Sequence, residues 1–205
     1  MTITMRAGSA YYYFTYYIER PELLPDYLLW QMIAYAAGAV LAPVMTRYVE
    51  KAKLLMFLMA AVAALSVVFC FVPRDMIWAI FTLNILISLA LGPKSPLTWS
   101  MYADTADYNE WRNGRRATAI TFSAATFAQK LGGALGTAGM LWVLATIGYE
   151  ANQAQSDASR AGIAYLQTVV PGVFALIAVV VLRSYTLTGR QLARIQDELE
   201  QRHAT

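Results

Sequence analysis

Met101-Tyr-Ala-Asp-Thr-Ala-Asp-Tyr-Asn-Glu-Trp-Arg-Asn-Gly-Arg-Arg116, followed by the apolar run Ala117 to Ile147, is the stretch that decides the fold. Ala117–Ile147 is 31 residues long and carries a single charge, Lys130. An apolar run of that length reads as a membrane span. A lone lysine inside one marks a functional site by default, because a charge in hydrocarbon needs water or a partner. On a helical wheel Ser123, Thr126, Lys130 and Thr137 fall within roughly 60° of one another. This polar face is expected to line a water-accessible cavity. Ala124, Ala128, Gly132 and Gly136 recur every fourth residue on the other side and are expected to let a neighbouring helix approach closely.

Hydrophobic residues make up 58% of the 205-residue chain and charged residues 14%, against about 25% charged in soluble proteins. That composition excludes a basic nucleic-acid binder. The single cysteine, Cys70, cannot build a disulfide or a thiolate metal site within one chain. His203 belongs to a solvated tail. No signal peptide is expected, since no basic segment precedes a compact apolar one at the N-terminus.

Outward from the central stretch, the chain divides into six candidate spans, near residues 2–18, 27–46, 54–72, 76–99, 117–147 and 163–182. The first is short, carries Arg6, and ends in the cluster Tyr11, Tyr12, Tyr13, Phe14, Tyr16 and Tyr17. Tyrosine favours the membrane interface, so two readings stand: the outer end of a span, or a re-entrant or interfacial helix. Asn84 and Ser88 lie inside the fourth span. Gly92-Pro-Lys-Ser-Pro96 is expected to break it, because proline removes a donor and clashes with the preceding turn; Lys94 then either snorkels to the near interface, the favoured reading, or lines the cavity. Gly148–Arg160 reads as a polar loop, and the sixth span is kinked near Pro171. The fold class is all-α integral membrane, a six-helix bundle over residues 1–187 with a tail at 188–205. In the tail Leu192, Ile195 and Leu199 recur at helical spacing, as in a short amphipathic surface helix.

Orientation follows from basic residues. Arg47, Lys51, Lys53, Arg112, Arg115, Arg116, Arg183, Arg190, Arg194 and Arg202 fall on one side, and Arg20, Arg74 and Arg160 on the other. The first side is cytoplasmic, and the C-terminus with it. Asp104, Asp107 and Glu110 leave the fourth span just before Arg112, Arg115 and Arg116. Acids at a helix C-terminus and bases at a helix N-terminus both oppose the helix dipole. The two sets are therefore expected to pair with each other or with a partner helix, as a cytoplasmic charge latch.

Ala103-Asp-Thr-Ala-Asp-Tyr-Asn-Glu-Trp-Arg-Asn-Gly-Arg-Arg116 closely resembles the turn between the tenth and eleventh helices of the glycoside–pentoside–hexuronide:cation symporters, the melibiose permease family. Phe127-Ala-Gln-Lys-Leu-Gly132 and Ile147-Gly-Tyr-Glu-Ala-Asn-Gln-Ala-Gln-Ser156 resemble the next helix and loop, and Tyr12-Tyr-Phe-Thr-Tyr-Tyr17 the end of the seventh helix. The resemblance covers nearly the whole chain but only the C-terminal half of such a transporter, whose helices form two six-helix bundles of the major facilitator type. It places Lys130 on the family's lysine at the cation and sugar sites, and Thr126 on a sugar-side threonine. Ala125 stands where melibiose permease has glutamine, which argues for a different glycoside or pentoside. The candidate sugar contacts are Lys130, Thr126, Ser123, Trp99 and Tyr13. The family's cation-binding aspartates lie on N-terminal helices, so the sodium or proton site is expected mostly outside this chain, with no other cofactor and no metal. The implied partners are a sugar or glycoside, the lipid bilayer of a bacterial inner membrane, and an N-terminal half or a second copy. A non-transporting remnant or membrane partner subunit is the alternative. An enzyme reading has no motif to support it.

Overall fold

The computed structural model describes residues 2–115 and 117–203. It is all-helical over those residues: α1 Thr2–Tyr12, α2 Leu24–Met45, α3 Lys51–Cys70, α4 Ile77–Leu91, α5 Lys94–Asn113, α6 Thr118–Thr146, α7 Asp157–Gln167, α8 Val169–Leu182 and α9 Gly189–His203. Among the described residues, four helical stretches are long and apolar enough to cross a membrane: Pro21–Met45, Lys51–Cys70, Ile77–Asn113 and Asp157–Leu182. All-helical architecture is what lipid demands, since a helix satisfies its backbone polar groups within itself. α1 and α6, the first and fifth expected spans, are not among the four.

The bundle is built on α3 against α8 and α2 against α4, with α3 also touching α4. α2 and α4 cross at Gly38 and Gly92. A Cβ on Gly38 would overlap the Leu89 carbonyl, and one on Gly92 the Tyr35 carbonyl, so only glycine admits this crossing. α8 meets α3 in the same way, with Gly172 against Ser66.

Three boundaries differ from the sequence reading. The break at residues 92–96 occupies a single turn. Pro96 lies in the first turn of α5, where a missing donor costs nothing. The helix therefore resumes at Lys94 and runs to Asn113, and Asp104–Arg112 is helix rather than turn. Ile77–Asn113 spans 37 residues, about 56 Å at 1.5 Å per residue, well beyond a hydrocarbon core of about 30 Å. The true turn is at Gly114, at φ 67°, a left-handed conformation that suits glycine. Likewise Asp157–Arg160 is helical and not loop, because Ser156 caps α7 by accepting from the Ser159 N–H at 3.2 Å. The kink before Pro171 falls at Thr168, between α7 and α8.

α1 lies inside the bundle, against α6, α7 and α8. It is not a surface helix. Tyr13–Tyr17 continue it as one π-helical turn, the Ile18 N–H reaching back to the Tyr13 carbonyl at 2.9 Å, and Glu19 then takes a left-handed φ of 60°. Met5, Ala10, Tyr13 and Phe14 are buried with Arg6 and Ser9. Arg6 is 0% exposed. Its Nη2 donates to Asn84 Oδ1 at 2.9 Å, and its guanidinium stands 6.0 Å from the Phe69 ring centre. Asn84 Nδ2 donates to the Tyr27 carbonyl at 3.1 Å, Gln167 Nε2 to the Tyr27 hydroxyl at 2.8 Å, and the Ser9 hydroxyl to Gln167 Oε1. One polar network thus ties α1, α2, α4 and α7 together at their cores. Nε and Nη1 of Arg6 have no partner.

Removing one member of a buried polar pair strands the other, whereas replacing both with apolar residues of similar volume is often neutral. Asn84→Leu is expected to destabilise the purified protein by about 3 kcal/mol. Arg6→Met combined with Asn84→Leu should recover at least half of that loss. Thermal unfolding in detergent of the two single variants and the double variant reads the coupling; simple additivity would mean that Arg6 and Asn84 do not support each other.

Candidate functional site

α6 is the least covered helix of the bundle. It touches α1, α5 and α7, and of its residues only Ala125, Gly136, Met140 and Leu144 are buried. The expected small-residue contact forms in part: Gly136 is buried, but Ala124 and Ala128 are exposed. On the facing helix α1, Gly8 has no side chain where Met140 packs, and a Cβ there would crowd the Met140 thioether.

The polar face is open. Lys130, Ser123 and Thr137 are exposed and Thr126 is half-buried. The hydroxyls of Thr126 and Thr137 donate to the carbonyls of Phe122 and Gly133, at 2.8 and 3.2 Å. A threonine hydroxyl that donates to its own helix keeps oxygen lone pairs to accept from a ligand. Among the described residues no carboxylate lies within ion-pair distance of Lys130. Exposed Ile120, Phe127, Leu131, Leu135, Leu141 and Trp142 share the helix with it. A mixed apolar and cationic surface of this kind is unsuited to lipid at the lysine and unsuited to water elsewhere.

Trp99 of α5 stacks on Phe122 of α6, with ring centres 5.7 Å apart and planes 14° apart, and meets Tyr102 edge-on. It is thereby fixed beside the turn of α6 that carries Ser123 and Thr126. Tyr13 is placed differently. It is 1% exposed, stacked on Tyr17 at 5.1 Å and edge-on to Phe69 and Phe14. In this arrangement Tyr13 belongs to the aromatic core.

At the other end of the molecule, Asp104 is 6% exposed and both its oxygens accept from Lys51 Nζ, at 2.9 and 2.7 Å. Its partner is thus α3 and not an arginine of the following turn. Asp107 and Glu110 are engaged as well. Arg112 approaches the Tyr108 hydroxyl at 3.4 Å, and the Arg115 carbonyl accepts from Asn109 Nδ2 at 3.0 Å, closing the turn. Arg116 lies outside the described residues.

α9 docks on this end of α5. Leu192, Ile195 and Leu199 are buried. Trp111 Nε1 donates to Glu198 Oε2 at 2.6 Å, Arg194 pairs with Glu198 at 2.7 Å, and Arg202 donates to the Trp111 carbonyl at 3.1 Å. On the opposite side Arg160 pairs with Glu19 at 2.8 Å, and the hydroxyls of Tyr149 and Tyr16 meet at 3.0 Å. Arg6, the buried cation of α1, is the residue that sequence reasoning misses. Its signal was an arginine in an apolar stretch, but its partner Asn84 is 78 residues away.

Over the described residues, an all-helical architecture with four membrane-length apolar helices and a largely uncovered helix bearing a lone cation is that of a polytopic membrane protein. Comparison with known proteins agrees. The model of the family described as MFS/sugar transport protein matches residues 1–189. The inner membrane symporter YicJ of Escherichia coli (strain K12) is 32% identical over 203 residues, 98% of this chain and 44% of that protein. The putative glycoside/cation symporter YagG of the same organism is 30% identical over 196 residues, 95% of this chain and 43% of that one. The glucuronide carrier protein homolog of Escherichia coli (strain K12) is 33% identical over 115 residues, 56% of this chain and 25% of that one. The chain belongs to the MFS/sugar transport protein family, a family of transporters and not of enzymes. It spans less than half the length of these relatives.

The docking of α9 carries a pH dependence. Hydrogen bonding from Trp111, then from Arg194, holds the Glu198 carboxyl below the ordinary glutamate range. A depressed carboxylate pKa stabilises the docked form above the unfolded value, and that stabilisation is lost as pH falls through the folded value. Amide-exchange protection of Gly189–His203, corrected for intrinsic rates, should therefore hold steady from neutral pH to the ordinary glutamate pKa and drop below it. In Glu198→Gln it should be weaker at neutral pH and nearly flat with acidification. A wild-type profile as flat as that of the variant would remove Glu198 from the docking contact.

Proposed function

We propose that this chain is the C-terminal-type half of a sugar:cation symporter, and that it contributes one wall of the sugar and cation cavity. The observation that carries the reading is Lys130: an exposed cation, without a carboxylate in reach, midway along a helix that the rest of the chain leaves largely uncovered. A complementary half would bring water, acidic groups and sugar to that face. Thr126 and Ser123 stand beside it as hydroxyl contacts, and Trp99, held by Phe122, offers a flat ring for a pyranose or furanose face. The substrate class is a glycoside, pentoside or hexuronide, and the coupling cation is sodium or a proton, bound mostly by the other half. The bundle would sit in a bacterial inner membrane as six spans, with α1 and α6 completing the set and the C-terminus in the cytoplasm.

The Lys51–Asp104 pair, the acids at Asp107 and Glu110 and the arginines at Arg112, Arg115 and Arg116 form the cytoplasmic latch in this reading. Such a pair can hold one state of a transporter closed and open in the other, as rocking of one bundle against the other requires.

A lysine at mid-membrane costs about 2.5–3.5 kcal/mol unless water or a partner reaches it. Lys130→Leu should accordingly leave the isolated 205-residue chain as stable in detergent as before, or more so. The same change should abolish counterflow of sugar in a complete assembly. Loss of thermal stability with counterflow intact would make Lys130 a structural residue and remove it from the site.

A further inference from the structure

A cavity of about 400 Å³ opens between the α2–α3 connection, the start of α3, α5 and the segment that leads from α8 to α9. Lys51, Asp104 and Tyr185 all line it. Tyr185 is the third residue after α8 ends at Leu182, and its hydroxyl is buried without any hydrogen-bond partner. A buried hydroxyl left unpaired has lost its water and gained nothing in return, so it calls for an explanation.

Two carboxylates face the same cavity. Glu50 is exposed and is already held by Lys53 at 2.8 Å. Asp104 is buried and depends wholly on Lys51 for neutralisation, both oxygens accepting from the one ammonium. Two carboxylate oxygens offer about four acceptor positions, and Lys51 fills one on each. Burial, and then the charge of Asp104, push the Tyr185 phenol up to about 12, so the hydroxyl keeps its proton at every working pH and remains a donor. Arg47, the remaining cation lining the cavity, forms no ion pair among the described residues.

We propose that Tyr185 is a positioning residue of the Lys51–Asp104 pair: its hydroxyl is the reserve donor that takes Asp104 when Lys51 leaves, so that the buried carboxylate is never stranded. The proposal rests on the reading of this pair as one that opens during transport. It gives the pair two satisfied states in place of one satisfied and one costly state, and so lowers the free energy of opening. It also ties the pair to α9, because Tyr185 lies in the segment that leads there.

The test is a double-mutant cycle on the purified 205-residue chain, read as thermal midpoint in detergent, which is independent of any transport assay. Lys51→Ala should lower the midpoint modestly while Tyr185 is present. With Tyr185→Phe in the background, the same change should lower it further, by about 4 °C or more. In an Asp104→Asn background the two substitutions should act independently. Should Lys51→Ala yield no folded protein, Lys51→Met keeps the aliphatic stem and carries the same cycle. Equal shifts in the wild-type and Tyr185→Phe backgrounds, or a coupling that survives Asp104→Asn, would overturn the proposal. A positive cycle in a protein whose complete assembly moves no sugar would leave the donor exchange standing and sink the transport reading alone.

Discussion

The constraint that governs this structure is the cost of charge in a low-dielectric interior. Three cations lie inside the six candidate spans read from the sequence, and each is handled differently. Arg6 is fully buried and hydrogen-bonded to Asn84, with the π-face of Phe69 nearby. Lys94 sits in the first turn of α5, half-buried where the helix restarts after Gly92-Pro93. Lys130 is left open on α6. The first treatment serves the fold. The second follows from chain geometry, since the helix restarts at Lys94 after Gly92-Pro93. The third has no ion-pair partner among the described residues, which is why Lys130 carries the functional proposal.

The same constraint explains what the sequence showed readily. Apolar runs bounded by charge mark α2, α3 and the first part of the long α4–α5 stretch, because charge is excluded from hydrocarbon and collects at the ends. What it hid were the pairings. Asn84 in a span says only that a polar partner exists; that the partner is Arg6 depends on how α1 enters the bundle. Asp104 and Lys51 are 53 residues apart, and no local pattern links them. The extension of α5 to Asn113 was obscured by its own charges, which resemble a loop when read as composition. Pro96 contributed, since a proline in a first helical turn and a proline in a helix interior look alike until the start of the helix is known. The proximity of Trp99 to Thr126 and Ser123 needed the stacking on Phe122 to become visible, and the burial of Tyr13 needed the packing of α3.

The two ends of the molecule are closed by different chemistry. On one, the Lys51–Asp104 pair and the contacts of α9 with Trp111 bind α3, α5 and the C-terminal segment. On the other, Arg160–Glu19 and Tyr149–Tyr16 bind the π-helical end of α1 to α7 and the loop before it. Between them α6 has few buried contacts of its own. A helix so lightly held, bearing Lys130 and a row of exposed apolar residues, has the surface expected where a second bundle packs.

The central claim is that this surface becomes a transport cavity only when a second half covers it. The direct measurement is cation-dependent uptake of labelled glycosides by cells that express the 205-residue chain with, and without, an N-terminal half from a homologous symporter. Uptake that requires both halves, and that disappears with Lys130→Leu, is the predicted result. Absence of uptake when both halves are present together in the membrane, across glycoside, pentoside and hexuronide substrates, would contradict the account.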